Sequence, residues 1–134
     1  MDNALNLKLK EFKKVLTTLK KALNQRKNDL IRDSVIKRFE YSFELCWKTV
    51  KIFLNEKFGM DIFSPKESFR ELRKNKLISD KQTELLLEMT DDRNKIIHVY
   101  DEDFSDELYK KIKENYFDLM QKIYGILENK ISFL

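Results

Sequence analysis

Residues 35–54, Val-Ile-Lys-Arg-Phe-Glu-Tyr-Ser-Phe-Glu-Leu-Cys-Trp-Lys-Thr-Val-Lys-Ile-Phe-Leu, decide the fold of this chain. Their apolar side chains recur every three or four residues, which is the pattern of one buried face of an α-helix. We predict a helix over 29–58, capped by Asn28 or Asp29 and ended by Gly59. Its inner stripe is Val35, Ile36, Phe39, Phe43, Cys46, Trp47, Val50, Phe53 and Leu54.

Four more helices are predicted around this one. A stripe of Leu and Phe predicts a first helix over 4–23. Two capping-box signals, Ser64-Pro65-Lys66-Glu67 and Ser79-Asp80-Lys81-Gln82, predict a short third helix to about Lys74 and a fourth helix that continues through His98. Residues 101–105 are read as a turn, and a last helix is predicted over 105–130.

The predicted fold class is therefore all-α. Four long helices and one short helix with short connections favour an antiparallel up-and-down bundle, and residues 1–134 are expected to form a single domain. Only 2 Gly and 1 Pro interrupt the chain. Cys46 has no disulfide partner and no long apolar run occurs, so we expect a cytoplasmic protein with no membrane partner.

Charge is distributed unevenly along the chain. The net charge is +4, but residues 1–58 carry 14 basic and 7 acidic residues, whereas 88–107 carry 2 basic and 8 acidic residues. A basic first half suits a phosphate backbone. It is equally consistent with an ordinary solvated surface, because no dense block of Lys or Arg is present.

Residues 91–103, Asp-Asp-Arg-Asn-Lys-Ile-Ile-His-Val-Tyr-Asp-Glu-Asp, contain His98, the only histidine of the chain. Arg93 precedes it by five residues, and Tyr100 follows it by two. A histidine is common in the last turn of a helix, where its cation favours the negative end of the dipole. Histidine is also the side chain that titrates nearest neutral pH, so it transfers protons in many active sites. The residues alone leave both interpretations open.

Arg93 and His98 together have the chemistry needed to cleave RNA without a metal. An arginine presents a charged, planar set of donors to a phosphate, and RNA carries its own nucleophile, the 2′-hydroxyl. One Cys and one His, 52 residues apart, do not have the spacing of a zinc site, and there is no glycine-rich phosphate loop. We therefore expect no metal and no cofactor.

The spacing of the two residues constrains how they meet. On an ideal helix Asn94 shares the face of His98, whereas Arg93 lies about 140° around the axis. The two converge only if the helix ends near residues 97–99, if the arginine wraps around it, or if two copies face each other in a dimer. We expect such a dimer to form through the last turns of the second and fourth helices.

Four segments, in order, resemble HEPN domains, in particular the nucleotidyltransferase substrate-binding proteins that include the HepT-type toxins. Residues 38–48 resemble their Phe-Glu-x-x-x-Glu-x-x-Trp-Lys helix, residues 64–67 resemble their Ser-Pro helix start, and residues 77–80 resemble the turn before their fourth helix. Residues 93–100, with Arg93, Asn94, His98 and Tyr100, resemble their Arg-x4-His-x-Tyr signature. Asn75 stands where a Gly is expected, and Asn can replace Gly at a left-handed helix cap.

The resemblance implies a homodimeric helical bundle whose partner is a small nucleotidyltransferase. In the toxin branch it implies a metal-independent endoribonuclease acting on RNA, in which Arg93 stabilises phosphate charge, His98 is the acid or base, and Asn94 orients them. Tyr100 would be the residue to which the nucleotidyltransferase antitoxin attaches AMP. Glu40 or Glu44 on the neighbouring helix would hold Arg93.

Two other functions fit the same residues. The first alternative is a non-catalytic subunit that binds a nucleotide or substrate for a two-component nucleotidyltransferase, because Arg and His can also bind phosphate without cleaving it. A helical scaffold with a vestigial motif is the second alternative. Growth arrest on expression without the partner separates the toxin from the subunit.

Overall fold

The computed structural model describes residues 3–99 and 101–132, and within these ranges all regular structure is helical. The helices are α1 (Asn3–Leu23), α2 (Asp29–Phe58), α3 (Pro65–Lys74), α4 (Asp80–Lys95), α5 (Glu102–Lys111) and α6 (Phe117–Ser132). A π-helical turn, Ile112–Tyr116, joins α5 to α6 without a break. The predicted all-α bundle is confirmed, and α1, α2 and α3 lie within a residue of their expected positions.

Contacts between the helices show which way they run. Arg93 of α4 contacts Glu44 of α2. Three residues after Arg93, Ile96 lines one cleft with Glu40, which lies four residues before Glu44. These two helices are therefore antiparallel. In contrast, Arg32 of α2 pairs with residue 106 of α5, and residue 39 of α2 stacks on residue 116 at 5.8 Å, so α2 and the last helix are parallel. Successive long helices thus alternate in direction, as an up-and-down bundle requires.

The core is aromatic and centred on α2. Phe39 and Phe43 have no exposed surface, and the ring of Phe43 packs edge-on against Phe69 of α3 at 6.2 Å. Cys46 is fully buried in the same stripe, and burial raises the pKa of its thiol, so it acts as a packing residue. The predicted stripe of α1 is buried throughout at Leu5, Leu9, Phe12, Leu16, Leu19 and Leu23.

The helix caps largely follow the sequence signals. The Oδ1 atom of Asn28 accepts a hydrogen bond from the Ile31 amide at 2.8 Å, and Gly59 ends α2 with a φ of 66°. Ser79 and Gln82 form the predicted capping box of α4. At α3 the Glu67 carboxylate instead accepts from the amide of Phe63, one residue before the capping serine, at 2.8 Å.

Two boundaries differ from the prediction. The fourth helix ends at Lys95, so His98 lies in the turn that follows it, and Ile97 in the same turn is 73% exposed. Isoleucine, histidine and valine have modest helix propensity, and a run of them weakens the last turn. The predicted turn over 101–105 is wrong, because Asp101 caps α5 by accepting from the Phe104 amide at 2.7 Å.

The end of α3 also differs from expectation. Asn75 has a φ of −88°, and the left-handed residue is Lys76, with a φ of 61°. The amide of Leu77 donates to the Leu72 carbonyl at 3.0 Å and that of Lys76 to Arg73 at 2.9 Å. This is a Schellman termination displaced by one residue from the position that the sequence suggested.

Candidate functional site

Arg93 lies in the last turn of α4 and reaches across to α2. Its Nη2 atom donates to the Oε1 atom of Glu44 at 2.7 Å, and its guanidinium carbon lies 5.4 Å from the centre of the Phe43 ring. The arginine side chain remains 25% exposed. Because a guanidinium has five N–H donors, part of this group stays available to an anion from solvent.

Glu44 is the carboxylate that fixes Arg93, and it is itself held on both oxygens. Its Oε1 atom also accepts from the indole nitrogen of Trp47 at 3.3 Å. Its Oε2 atom pairs with the ammonium of Lys48 at 3.2 Å. The Phe-Glu-x-x-x-Glu-x-x-Trp-Lys pattern thus places two α2 residues, Trp47 and Lys48, around the carboxylate that Arg93 reaches from α4.

The other two supporting residues have different surroundings. Asn94 is exposed, and its Oδ1 atom accepts a long hydrogen bond of 3.4 Å from Arg93 Nη1. Glu40 lies one turn before Glu44 and lines a cleft of about 460 Å³ between α2 and the start of α5. Ile96 and Val99 line the same cleft, so Glu40 faces the turn that contains His98.

His98 is exposed in the turn after α4. Its amide donates to the Lys95 carbonyl at 2.9 Å, and the Val99 amide donates to the same oxygen at 2.8 Å. Since α4 ends three residues before His98, the 140° separation of an ideal helix does not apply to the pair. That Arg93 and His98 approach each other in one of the three expected ways stays a prediction.

The last turns of α2 and α4, which were expected to form the dimer contact together, do not lie next to each other. Arg93 meets α2 at Glu44, and Phe58 lies 14 residues further along that helix. At a rise of 1.5 Å per residue the two positions are about 21 Å apart. The last turns of α2 and α4 are therefore separated, and the part of α2 that adjoins the motif is its middle.

A buried polar cluster on the other side of α4 was not predicted. The Tyr116 hydroxyl donates to the Oδ2 atom of Asp92 at 2.5 Å, and Lys111 Nζ lies 3.1 Å from the same oxygen. Burial raises the pKa of Tyr116 above its usual range, and the hydrogen bond to Asp92 raises it further. Glu88 and Asp92, four residues apart on α4, were the available signal, but their partners depend on the π-helical turn, which no sequence pattern announces.

The described ranges contain neither a metal site nor a membrane helix. Within residues 3–99 and 101–132, no group of three His, Cys, Asp or Glu side chains is arranged to hold an ion. Among the same residues, no helix combines the length and the apolar character needed to cross a membrane. Tyr100, the expected modification site, lies outside the described residues.

The comparison with protein families identifies the chain. The model of the family described as nucleotidyltransferase substrate binding protein like matches residues 7–129. This protein belongs to that family. The resemblance found in the four sequence segments is thereby confirmed over almost the whole chain. No curated protein sequence matched this one.

Solved structures share the fold of this family member. A Thermus thermophilus protein is 35% identical, with 87% of this chain and 98% of that chain aligned at a TM-score of 0.81. A tri-AMPylated Shewanella oneidensis HEPN toxin in complex with an MNT antitoxin is 17% identical, with 96% of this chain and 99% of that chain aligned at a TM-score of 0.78. A mutant of the MntA–HpeT toxin–antitoxin is 16% identical, with 93% of this chain and 97% of that chain aligned at a TM-score of 0.77. At such identities the last two show a common HEPN fold.

Tyr116 is expected to make stability depend on pH, because burial and the hydrogen bond to Asp92 raise the pKa of its phenol. Replacing Tyr116 by Phe should lower the free energy of unfolding by about 1–3 kcal/mol at pH 7, because the buried Asp92 loses a donor. A tyrosine whose pKa is higher in the folded state stabilises that state fully below its unfolded-state pKa of about 10. This stabilisation is lost progressively as the pH rises from there toward the folded-state pKa. Urea unfolding between pH 8.5 and 11 should show a smaller loss of stability in Tyr116→Phe than in the wild type. Equal losses would show that this phenol does not contribute.

Proposed function

We propose that this protein is the toxin of a toxin–antitoxin pair and cleaves RNA without a metal, under the control of a nucleotidyltransferase antitoxin. The observation that carries the proposal is the position of Arg93, whose guanidinium is fixed by Glu44 and partly open to solvent, five residues before an exposed His98. The AMPylated HEPN toxin with its antitoxin supports the pairing by its common fold. The proposal includes RNA as the substrate, the nucleotidyltransferase antitoxin as the partner and the cytoplasm as the place of action.

The proposed reaction uses the 2′-hydroxyl of RNA as the nucleophile. His98 in its neutral form removes the proton of that hydroxyl, and the oxygen attacks the adjacent phosphorus. The free N–H donors of Arg93 stabilise the charge that develops on the phosphoryl oxygens. The bond to the 5′-oxygen breaks, and that oxygen takes a proton from a protonated imidazole. The products are a 2′,3′-cyclic phosphate and a 5′-hydroxyl, and Asn94 assists by orienting Arg93.

A homodimer would supply both protonation states of the imidazole. Two copies of His98 near one axis provide one base and one acid. The exposed apolar residues nearest the motif are Ile97, in the same turn, and Tyr41, one turn before Glu44 on α2. We propose that the dimer contact is formed by Tyr41 and Ile97, on the side of Glu44 that faces the start of α2.

AMP attachment at Tyr100 is the proposed means of control. This assignment rests on the match of Tyr100 to the family signature, two residues after His98. A phosphodiester at that position would add a negative charge beside the cationic motif, and the adenosine would add bulk. Both effects would compete with the RNA phosphate for Arg93.

The second candidate is a non-catalytic subunit that binds a nucleotide or substrate for the nucleotidyltransferase. The family description favours it, and an arginine held by a carboxylate is as suited to binding a phosphate as to catalysis. The two candidates differ in whether RNA is cut, and in whether expression without the partner arrests growth.

Loss of the proposed acid or base should abolish cleavage. His98→Ala should reduce the rate by at least ~10²-fold, the usual contribution of proton transfer, while the circular dichroism spectrum stays unchanged because His98 is exposed. The assay is cleavage of total RNA in EDTA by wild type and variant purified in parallel. Cleavage that persists in the variant, or wild-type cleavage that EDTA removes, would rule out the mechanism.

The proposed modification has its own test. Incubation with the cognate nucleotidyltransferase, ATP and Mg²⁺ should add one or more AMP groups and inhibit RNA cleavage, followed by intact-mass spectrometry. Tyr100→Phe should prevent the adduct and keep cleavage active. An adduct of the same mass on Tyr100→Phe would place the modification on another residue.

The proposed dimer contact predicts a monomer when an exposed apolar residue becomes charged. Ile97→Asp should halve the mass seen by light scattering at micromolar concentration, because the charge is repeated across the two-fold axis. Leu30, at the far end of α2, is at least as exposed as Ile97, so Leu30→Asp is the matched control and should leave the mass unchanged. A monomeric wild type with full RNase activity would contradict the dimeric site.

A further inference from the structure

A row of side chains on the exposed face of α2 leads away from Arg93. Glu44, Lys48 and Lys51 recur at spacings of four and three, so they lie within about 60° of one another around the helix. The Lys48 ammonium pairs with Glu44 at 3.2 Å and its side chain is 50% exposed. Lys51, one turn further on, is also exposed. The row therefore presents two cations to solvent beside the guanidinium.

Trp47 ties this row together. Its indole nitrogen donates to the same Glu44 oxygen that binds Arg93, and the Lys51 ammonium lies 5.9 Å above its ring. A lysine held over an indole loses part of its rotamer freedom before any ligand binds. The positions of Arg93 and Lys51 are thus linked through one half-buried aromatic side chain.

The row ends at a groove with an exposed aromatic ring. Phe63 is 80% exposed, and it lines a groove of about 350 Å³ together with Lys51 and the apolar side chains of Ile52, Met60 and Ile62. The segment that carries it is anchored on both sides. Ile62 is only 2% exposed, and the Phe63 amide donates to the Glu67 carboxylate at 2.8 Å. The fold therefore holds an uncovered aromatic face at a fixed place.

The spacing suits a short stretch of polynucleotide. Seven residues separate Glu44 from Lys51, a rise of about 10 Å along α2. A strand whose reacting phosphate lies on Arg93 reaches Lys51 within a few nucleotides, with Lys48 between them. The following base then comes to the groove at Phe63.

We propose that the unpaired strand beside the cleaved phosphate binds along Lys48, Lys51 and Phe63, which we call the α2 track. Lys48 and Lys51 contact backbone phosphates, and the Phe63 ring stacks on a base. This inference rests on the proposed function and specifies its substrate as single-stranded RNA. In a duplex both faces of each base are covered by neighbouring bases, so Phe63 has no free face to stack on.

The acidic residues of the groove fit this orientation. Glu56 and Asp61 line the groove, and Asp61 accepts a hydrogen bond from the Asn55 amide group at 3.3 Å. A carboxylate there disfavours a phosphate but accepts hydrogen bonds from the amino group of a base. The phosphates are therefore expected along the two lysines, and the base is expected in the groove.

Binding is measured on His98→Ala, so that cleavage does not interfere. Fluorescence anisotropy of a labelled ten-nucleotide single strand, and of the corresponding duplex, is followed from 50 to 300 mM salt. Lys51→Glu should raise the Kd for the single strand at least fivefold and reduce the slope of log Kd against log salt by about 0.7, the value of one phosphate contact on a single strand. Phe63→Ala should also raise that Kd at least fivefold, since stacking on one base contributes that much or more.

Two matched variants separate the track from general charge and from folding. Lys20→Glu makes the same charge change at the end of α1, beside the opposite end of α2, and should alter the Kd less than twofold. Phe63→Tyr keeps an aromatic face and should restore binding. Because Phe63 is exposed, Phe63→Ala should melt at the wild-type temperature. Phe63→Ala should leave duplex affinity unchanged.

The outcomes also distinguish the track from the proposed reaction. Tight single-strand binding that depends on Lys51 and Phe63 in a protein that does not cut RNA would keep the track and reject the endoribonuclease. Cutting by the wild type with Lys51→Glu and Phe63→Ala unchanged in both binding and rate would reject the track. Absence of RNA binding, an effect of Lys20→Glu equal to that of Lys51→Glu, or equal losses for duplex and single strand would also reject it.

Discussion

The contact between Arg93 of α4 and Glu44 of α2 is the interaction on which the candidate site depends. Its energy is small, because both side chains are a quarter to a third exposed and such pairs contribute about 0–1 kcal/mol. The helices are fixed by buried packing, in which Phe43 of α2 contacts the ring of Phe69 on α3, the helix that lies between α2 and α4 in the chain. The salt bridge sets the direction of one guanidinium, which matters for chemistry more than for stability.

The rotation of α4 is defined from two sides. On one side Arg93 meets the carboxylate of α2, and on the other Asp92, the preceding residue, is buried against Tyr116 and Lys111. Adjacent residues of a helix point about 100° apart, so these two contacts face different neighbours. A helix held in this way cannot turn to relieve one contact without breaking the other. The π-helical turn, which includes Tyr116, therefore belongs to the support of the site.

Much of the fold could be predicted from the sequence because it depends on periodic burial. The stripes of α1 and α2, the Asn28 and Ser79 caps and Gly59 are local signals whose physical meaning does not require a partner. The boundaries around His98 could not be predicted in the same way. There the acidic residues after position 100 were read as a turn, although an aspartate at 101 is also a good helix cap.

The site was predictable in its residue types and less so in its pairing. Glu40 and Glu44 are one turn apart on the same side of α2, so the sequence could not choose between them. The choice depends on how far α4 is shifted along α2, which the aromatic packing of the whole core determines. The partnership of Asp92 with Tyr116 was missed for a related reason, since it requires an extra residue in one helical turn.

In the proposed reaction Arg93 and His98 act on the phosphate and its neighbouring hydroxyl, and the 2′-oxygen of RNA performs the attack. The ends of the cleavage products test this claim most directly. A defined single-stranded RNA cut in EDTA should yield fragments with a 2′,3′-cyclic phosphate at one end and a 5′-hydroxyl at the other, identified by mass spectrometry. A substrate with 2′-deoxyribose at the cut position should stay intact. Fragments with a 3′-hydroxyl and a 5′-phosphate, or cleavage of the deoxy substrate, would contradict the account.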